Sequence, residues 1–187
     1  MKKILIISMM LFAVLNCAQI YPITKNTDVP NNGYVKDLNN DLLPYVGTWK
    51  GTWDNKVIYI YLERFKKQRS YNINHIYFKD ILIGRFKVLN ADETAVLFDN
   101  TNLPDNNTKI EGLRFFSVPI TQYAMMYIDQ NICTTGDIYI NIVNSTNTQL
   151  QWKYSPDNDI LSLDCPYVVN NLPIPQALPT NLVLTKQ

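Results

Sequence analysis

Histidine is almost missing from this chain: His75, in "YNINHIYF", is the only one in 187 residues, and it is accompanied by three cysteines and six glycines. A structural zinc site needs four close ligands, which one histidine and widely separated cysteines do not supply. No nucleophile-elbow motif offers His75 a serine or cysteine to activate, so we read it as a structural or exposed strand residue. Paired carboxylates for glycosidic chemistry are not evident either, since only Glu63, Glu111 and Asp164 fall inside proposed strands. The stretch "DLNND", Asp37 to Asp41, begins like a calcium loop, but Leu42 stands where that loop needs glycine and Thr48 where it needs glutamate. These absences predict a protein that is not an enzyme and holds no metal or cofactor.

Long apolar runs and strong net charge are lacking as well. The longest apolar stretch, Ile4 to Leu15, is broken by Ser8 and covers twelve residues, short of the about 20 that a bilayer-spanning helix needs. With Lys2 and Lys3 before it and Cys17 and Ala18 after it, this stretch reads as a secretory signal over residues 1–18. Cleavage before Cys17 would leave a lipid-bearing cysteine, whereas cleavage after Ala18 discards it. Asn16 sits where both peptidases prefer a small residue, so both outcomes stay open. The expected address is the cell envelope, as periplasmic protein or outer-membrane lipoprotein, or the medium, with a membrane met only through a lipid on Cys17. Loss of Lys2 and Lys3 from the 17 basic residues leaves 15 against 16 acidic ones. So balanced a chain has no field to attract nucleic acid. The one basic run, "RFKKQR" from Arg64 to Arg69, reads as a solvated hairpin end.

Tyr, Ile, Val, Thr and Phe are abundant, and Asn, Asp, Pro and Gly cluster between short runs of them, which predicts strands and turns throughout. Residues 19–42 read as a polar arm with a short helical turn near Asp41 to Tyr45. Strands are expected at Val46–Trp53, Lys56–Phe65, Ile73–Phe78, Ile81–Leu89, Ala95–Asp99, Lys109–Phe116, Ala124–Asp129, Asp137–Asn144, Gln149–Tyr154, Ile160–Cys165 and Asn181–Thr185. Asp54-Asn55 suits a tight hairpin. So many consecutive short strands argue for an antiparallel barrel or sandwich over residues 43–187. Cys133 and Cys165 are expected either to pair as a disulfide in an oxidising compartment or to remain two buried thiols.

In "LPYVGTWKGTW", Gly47-Thr48-Trp49 resembles the opening strand of the calycin barrels, lipocalins and fatty-acid-binding proteins among them. That resemblance implies a calycin-like all-β barrel of about 8–10 strands, in which Trp49 closes one end and packs against a basic residue from a late strand. Together with Tyr21-Pro22, "KDILIGRF" from Lys79 to Phe86 and the ending "LPTNLVLTKQ", the same stretch resembles a domain-of-unknown-function family of small exported proteins of flavobacteria and related Bacteroidetes. The second resemblance implies an exported barrel domain and brings no catalytic residue with it.

Twelve tyrosines, seven phenylalanines and three tryptophans are the feature most open to function. Trp49 and Trp53 share a row with Gly47 and Gly51, and a neighbouring aromatic such as Tyr59 or Tyr61 is expected to cover those glycines. Trp53, Tyr59 and Tyr61 are the candidate ligand-binding residues. Two roles follow: a barrel that takes up a small apolar or amphipathic ligand, or a packed envelope scaffold that meets another protein through its outer face. Interior volume separates them, since an interior filled by Trp49, Ile58, Ile60, Ile138 and Ile140 leaves no room for a ligand.

Overall fold

The computed structural model describes residues 19–24, 28–117, 120–157 and 164–187; the leader read at residues 1–18, with Cys17, lies outside them. Eleven strands follow one another: β1 (Ile20–Pro22), β2 (Tyr34–Lys36), β3 (Gly47–Trp53), β4 (Lys56–Asn72), β5 (His75–Asn90), β6 (Val96–Asp99), β7 (Ile110–Phe116), β8 (Gln122–Asp129), β9 (Thr134–Ile142), β10 (Gln149–Pro156) and β11 (Asn181–Lys186). Eight of them close an antiparallel barrel in the order β5-β4-β3-β11-β10-β9-β8-β7, with β7 returning onto β5. Three lie outside the ring, β6 on β5 and the parallel pair β1-β2 beside the start of β5.

Local chemistry explains the tightest features. Asp54 and Asn55 both take positive φ, 45° and 57°, which is the two-residue hairpin turn whose twist matches its flanking strands. At the seam of the ring, Gly84 of β5 pairs with Ile110 of β7. A side-chain carbon on Gly84 would lie 3.0 Å from Ile110 Cβ, so any larger residue there would press Ile110 back by a few tenths of an ångström.

The inward row is filled. Trp49, Ile58, Ile60, Ile138 and Ile140 are all fully buried in one cluster with Trp152. Leu150, Trp152 and Tyr154 face this core, as their alternation suggested. Trp49 lies at one end. Its Nε1–H donates to Tyr45 O at 2.7 Å, and Lys186 of β11 holds Nζ 5.1 Å from the ring centroid while donating to Pro44 O.

Several elements differ from the sequence reading. The strands expected at Ile73–Phe78 and Ile81–Leu89 form the single strand β5, and Ile73 belongs to the turn before it. Asp80 does not break β5 because its carboxylate is satisfied, accepting the Tyr34 hydroxyl at 2.5 Å and the Asp37 N–H at 3.0 Å. Likewise β4 runs through "RFKKQR" to Asn72 rather than stopping at Phe65, since these cations find partners along the strand. Arg64 reaches Asp37 at 3.5 Å, Lys66 sits over the Tyr34 and Phe78 rings, and Lys67 and Arg69 share Glu111.

The polar arm is likewise more regular than expected, for it supplies β1 and β2. The helical turn is present as a 3-10 turn at Leu43–Tyr45. Within "DLNND", Asp37 is buried and accepts the backbone N–H groups of Asp41 and Leu42, a turn cap. Leu182 and Leu184 cover Gly51, and Lys186 covers Gly47. Tyr59 and Tyr61 cannot do so, because they pair with Lys50 and Thr48 on the other row of the hairpin. Of the strand expected at Ile160–Cys165, residues 160–163 lie outside the described residues. Asp164 is in a turn, and Cys165 precedes a one-turn helix, α1 (Pro166–Val169). Cys133 and Cys165 form a disulfide, S–S 2.08 Å.

Candidate ligand-binding site

With the barrel interior occupied by its own side chains, the space for a ligand lies outside it. The hairpin of β4 and β5 provides that space because it is longer than the ring requires. Beyond the seam at Gly84 the hairpin continues to a tip where Ile73 is 93% exposed. The β1-β2 pair lies against its β5 side, through Tyr34↔Phe78 and Val35↔Lys79. The end of β7 completes a cleft of about 420 Å³.

Each wall has its own chemistry. The arm contributes Ile23, Val29 and Val35, all buried, as an apolar floor. The hairpin contributes Arg69, Tyr71, Tyr77 and Lys79, and β7 contributes Leu113, Arg114, Phe115 and Phe116. Tyr71 and Tyr77 stack at 4.9 Å between centroids, and the only histidine, His75, meets Tyr71 edge-on while donating Nε2–H to Val29 O at 2.6 Å. His75 therefore ties the hairpin to the arm. Behind the β7 wall, Phe115 packs on Tyr123 at 4.8 Å.

The β7 strand bulges between Gly112 and Arg114, which turns the Leu113 carbonyl toward the hairpin. Lys79 Nζ donates to that carbonyl at 2.7 Å. Arg69 donates to Glu111 at 3.2 Å and to Gly112 O at 3.1 Å. Glu111 is also engaged by Lys67. Arg114 has its guanidinium 4.4 Å from the centre of the Phe116 ring. Among the described residues no carboxylate lies within ion-pairing distance of Lys79 or Arg114. Burial, and then the positive charges of Arg69 and Arg114, push the Lys79 pKa down. Burial, with Tyr71 beside it, pushes Tyr77 up, so that hydroxyl stays protonated. The cleft is thus a net-positive recess with aromatic and aliphatic walls, able to hold a ligand that has a negative end and an apolar body.

The three residues singled out from sequence do not come together. Trp53 lies on the inward row at the rim of the core, with Lys56 Nζ 5.3 Å from its ring. Tyr59 is on the opposite row, donating to Glu93 at 2.7 Å beneath Lys50. Tyr61 lines a separate recess of about 550 Å³ with Glu63, Arg85 and Asp105. Arg69, Lys79 and Arg114 carried one visible signal, the basic run that ends at Arg69, but their convergence depends on the β7 bulge and on the length of the hairpin.

A further recess of about 410 Å³ opens beside the disulfide, between Tyr127, Tyr154 and Ile174 to Leu178. There the Tyr127 hydroxyl is bound to Asp129 and the Tyr154 hydroxyl to Thr135 O, so its aromatic groups have their polar atoms engaged within the fold. A protein-family model described as "Family of unknown function (DUF6705)" matches residues 1–187. No curated protein and no solved structure matches the chain.

Proposed function

The chain belongs to this family, DUF6705, and we propose that it is an exported barrel that binds a small amphipathic ligand in the cleft between arm, hairpin and β7 instead of inside the ring. The observation that carries this reading is the contrast between a packed interior and an outer cleft with stacked tyrosines, phenylalanines and two cations, Lys79 and Arg114, for which the described residues supply no acidic partner. Export is supported by the signal-like residues 1–18 and by the disulfide, a bond that oxidising compartments sustain. A lipid on Cys17 would hold the barrel at the envelope membrane. The Trp49–Lys186 contact is what kinship with calycin barrels would require. The proposal is of binding without turnover.

Native mass spectrometry of the protein from its own envelope fraction tests the proposal. A retained small molecule, lost when Tyr77 and Phe116 are both changed to alanine, is the expected result. The second reading, a packed scaffold for a partner protein, rests on the hairpin tip, where Tyr71 and Ile73 stand 60% and 93% exposed. A retained polypeptide, released by Ile73→Asp, would favour it and overturn the first. An added mass on Cys17 would establish the anchor.

A further inference from the structure

We propose that the cleft selects ligands bearing a compact oxyanion, a carboxylate, sulfate or phosphate ester, which seats between Lys79, Arg69 and Arg114 while its apolar body lies on the Tyr77 and Phe116 rings. This rests on the reading of the cleft as a ligand site and names the chemistry of what enters it.

The charge balance is the first support. Three cations, Arg69, Lys79 and Arg114, line the cleft with no carboxylate among its lining residues, and only Arg69 has an acidic partner among the described residues, Glu111, which it shares with Lys67. Lys79 comes from β5, Arg69 from β4 and Arg114 from β7, so three different elements bring positive charge to one recess. Donor counting is the second. The Lys79 ammonium has three N–H donors and makes one hydrogen bond, to Leu113 O. Arg114 has its guanidinium carbon 4.4 Å from the centre of the Phe116 ring and its side chain makes no hydrogen bond among the described residues, so its guanidinium N–H donors are open to an incoming oxygen. Lys79 also feels both arginines, and its lowered pKa expresses the cost of a half-buried cation with no counter-charge. An oxyanion would supply that charge and accept the open donors. The walls are the third. Phe115, Phe116, Tyr71 and Tyr77 flank these donors, so headgroup and body would be recognised side by side.

The test uses a matched pair of probes, naphthalene-2-carboxylate and its uncharged amide, titrated by calorimetry and by NMR into the mature protein in low-salt chloride buffer. The carboxylate should bind about tenfold or more tighter than the amide, because charge-assisted hydrogen bonds are the stronger ones. Added salt should shrink that advantage. Lys79→Met should remove most of it, weakening the carboxylate far more than the amide. Arg114→Gln, at an exposed side chain, gives a second measure if Lys79→Met does not fold. The sulfonate and phosphate ester of the same ring rank the three headgroups. If no anionic probe exceeds the amide while both perturb Tyr77 and Phe116, the headgroup inference is overturned and the cleft stands. If no probe perturbs those residues, the cleft reading falls and this inference with it.

Discussion

Trp49 and Trp53 occupy one row of β3, yet their indole N–H groups have different fates. That of Trp49 is fully buried and donates to Tyr45 O, whereas that of Trp53 is buried with no hydrogen-bond partner among the described residues. Removing a satisfied buried donor strands its acceptor, while removing an unsatisfied one relieves a cost. Trp49→Phe should therefore lower stability by about 1–3 kcal/mol, and Trp53→Phe by less than about 1 kcal/mol. Urea midpoints at unchanged slope measure both, and equal losses would contradict the assignment. Lys79 gives a second prediction at this scale. Its folded pKa is lowered from 10.5 by burial and by the two arginines. Between the folded and unfolded values the unfolded chain holds more protons, so stability contributed by this residue rises with pH. Against Lys79→Met in chloride buffer, the wild type should gain stability from neutral pH toward about pH 10, where an unperturbed lysine titrates. A difference that does not change with pH would refute it. The inward placing of Trp49 was legible because the Gly-x-Trp row is a local signal. Lys79 was not legible, since a lysine before an aspartate in an apolar strand says nothing of the bulge that receives it.

Elements show the same division. The Asp54-Asn55 hairpin was readable from two residues that tolerate positive φ, and the alternation in "DIYINIVN" placed Ile138 and Ile140 inward. The long β4–β5 hairpin was not readable. Its charged stretches look like turn ends, and only the tertiary partners Asp37, Glu111 and Tyr34 make strand out of them. Pairing across this hairpin runs continuously from Lys56↔Asn90 to Ser70↔Ile76, so a cleft wall is assembled far from the seam that anchors it. The disulfide belongs to this scale too. Cys133 and Cys165 are 32 residues apart and tie the β8–β9 turn to the segment ahead of α1. In the chain-entropy model a loop of that size contributes about 3–4 kcal/mol through the unfolded state. Cys133→Ser with Cys165→Ser should lose about that much in urea titration while keeping the far-ultraviolet spectrum of the barrel. A loss below about 1 kcal/mol would mean that the unfolded chain is already compact in this region.

For the whole molecule, closure of the ring depends on the strand nearest the C-terminus. β11 pairs along its length with β10, from Gln149↔Thr185 to Lys153↔Asn181, and joins β3 through Thr185↔Lys50 and Lys186↔Trp49. It also supplies fully buried Leu184 to the core and Lys186 to the Trp49 plug. Among the described residues no other strand bridges β10 and β3, so ordering them requires a contact between positions more than a hundred residues apart. Non-local closure of this kind makes folding slow and leaves strand edges open until it is complete. A chain lacking residues 181–187 should therefore fail to form the ring, even though most of its core residues remain. Its β3 and β10 edges would be unpaired, Trp49 would lose its cation, and Gly51 would lose its leucine cover. The expected outcome is a shift to aggregates in size-exclusion chromatography, with loss of slow-exchanging amides in β3 and β10. A peptide of residues 179–187 added during refolding should restore part of the monomer by occupying the vacant position between those edges. A truncated chain that stays monomeric with protected β3 amides would mean that the ring closes without β11, and that the barrel's stability resides in the β4–β5 and β7–β10 sheets alone.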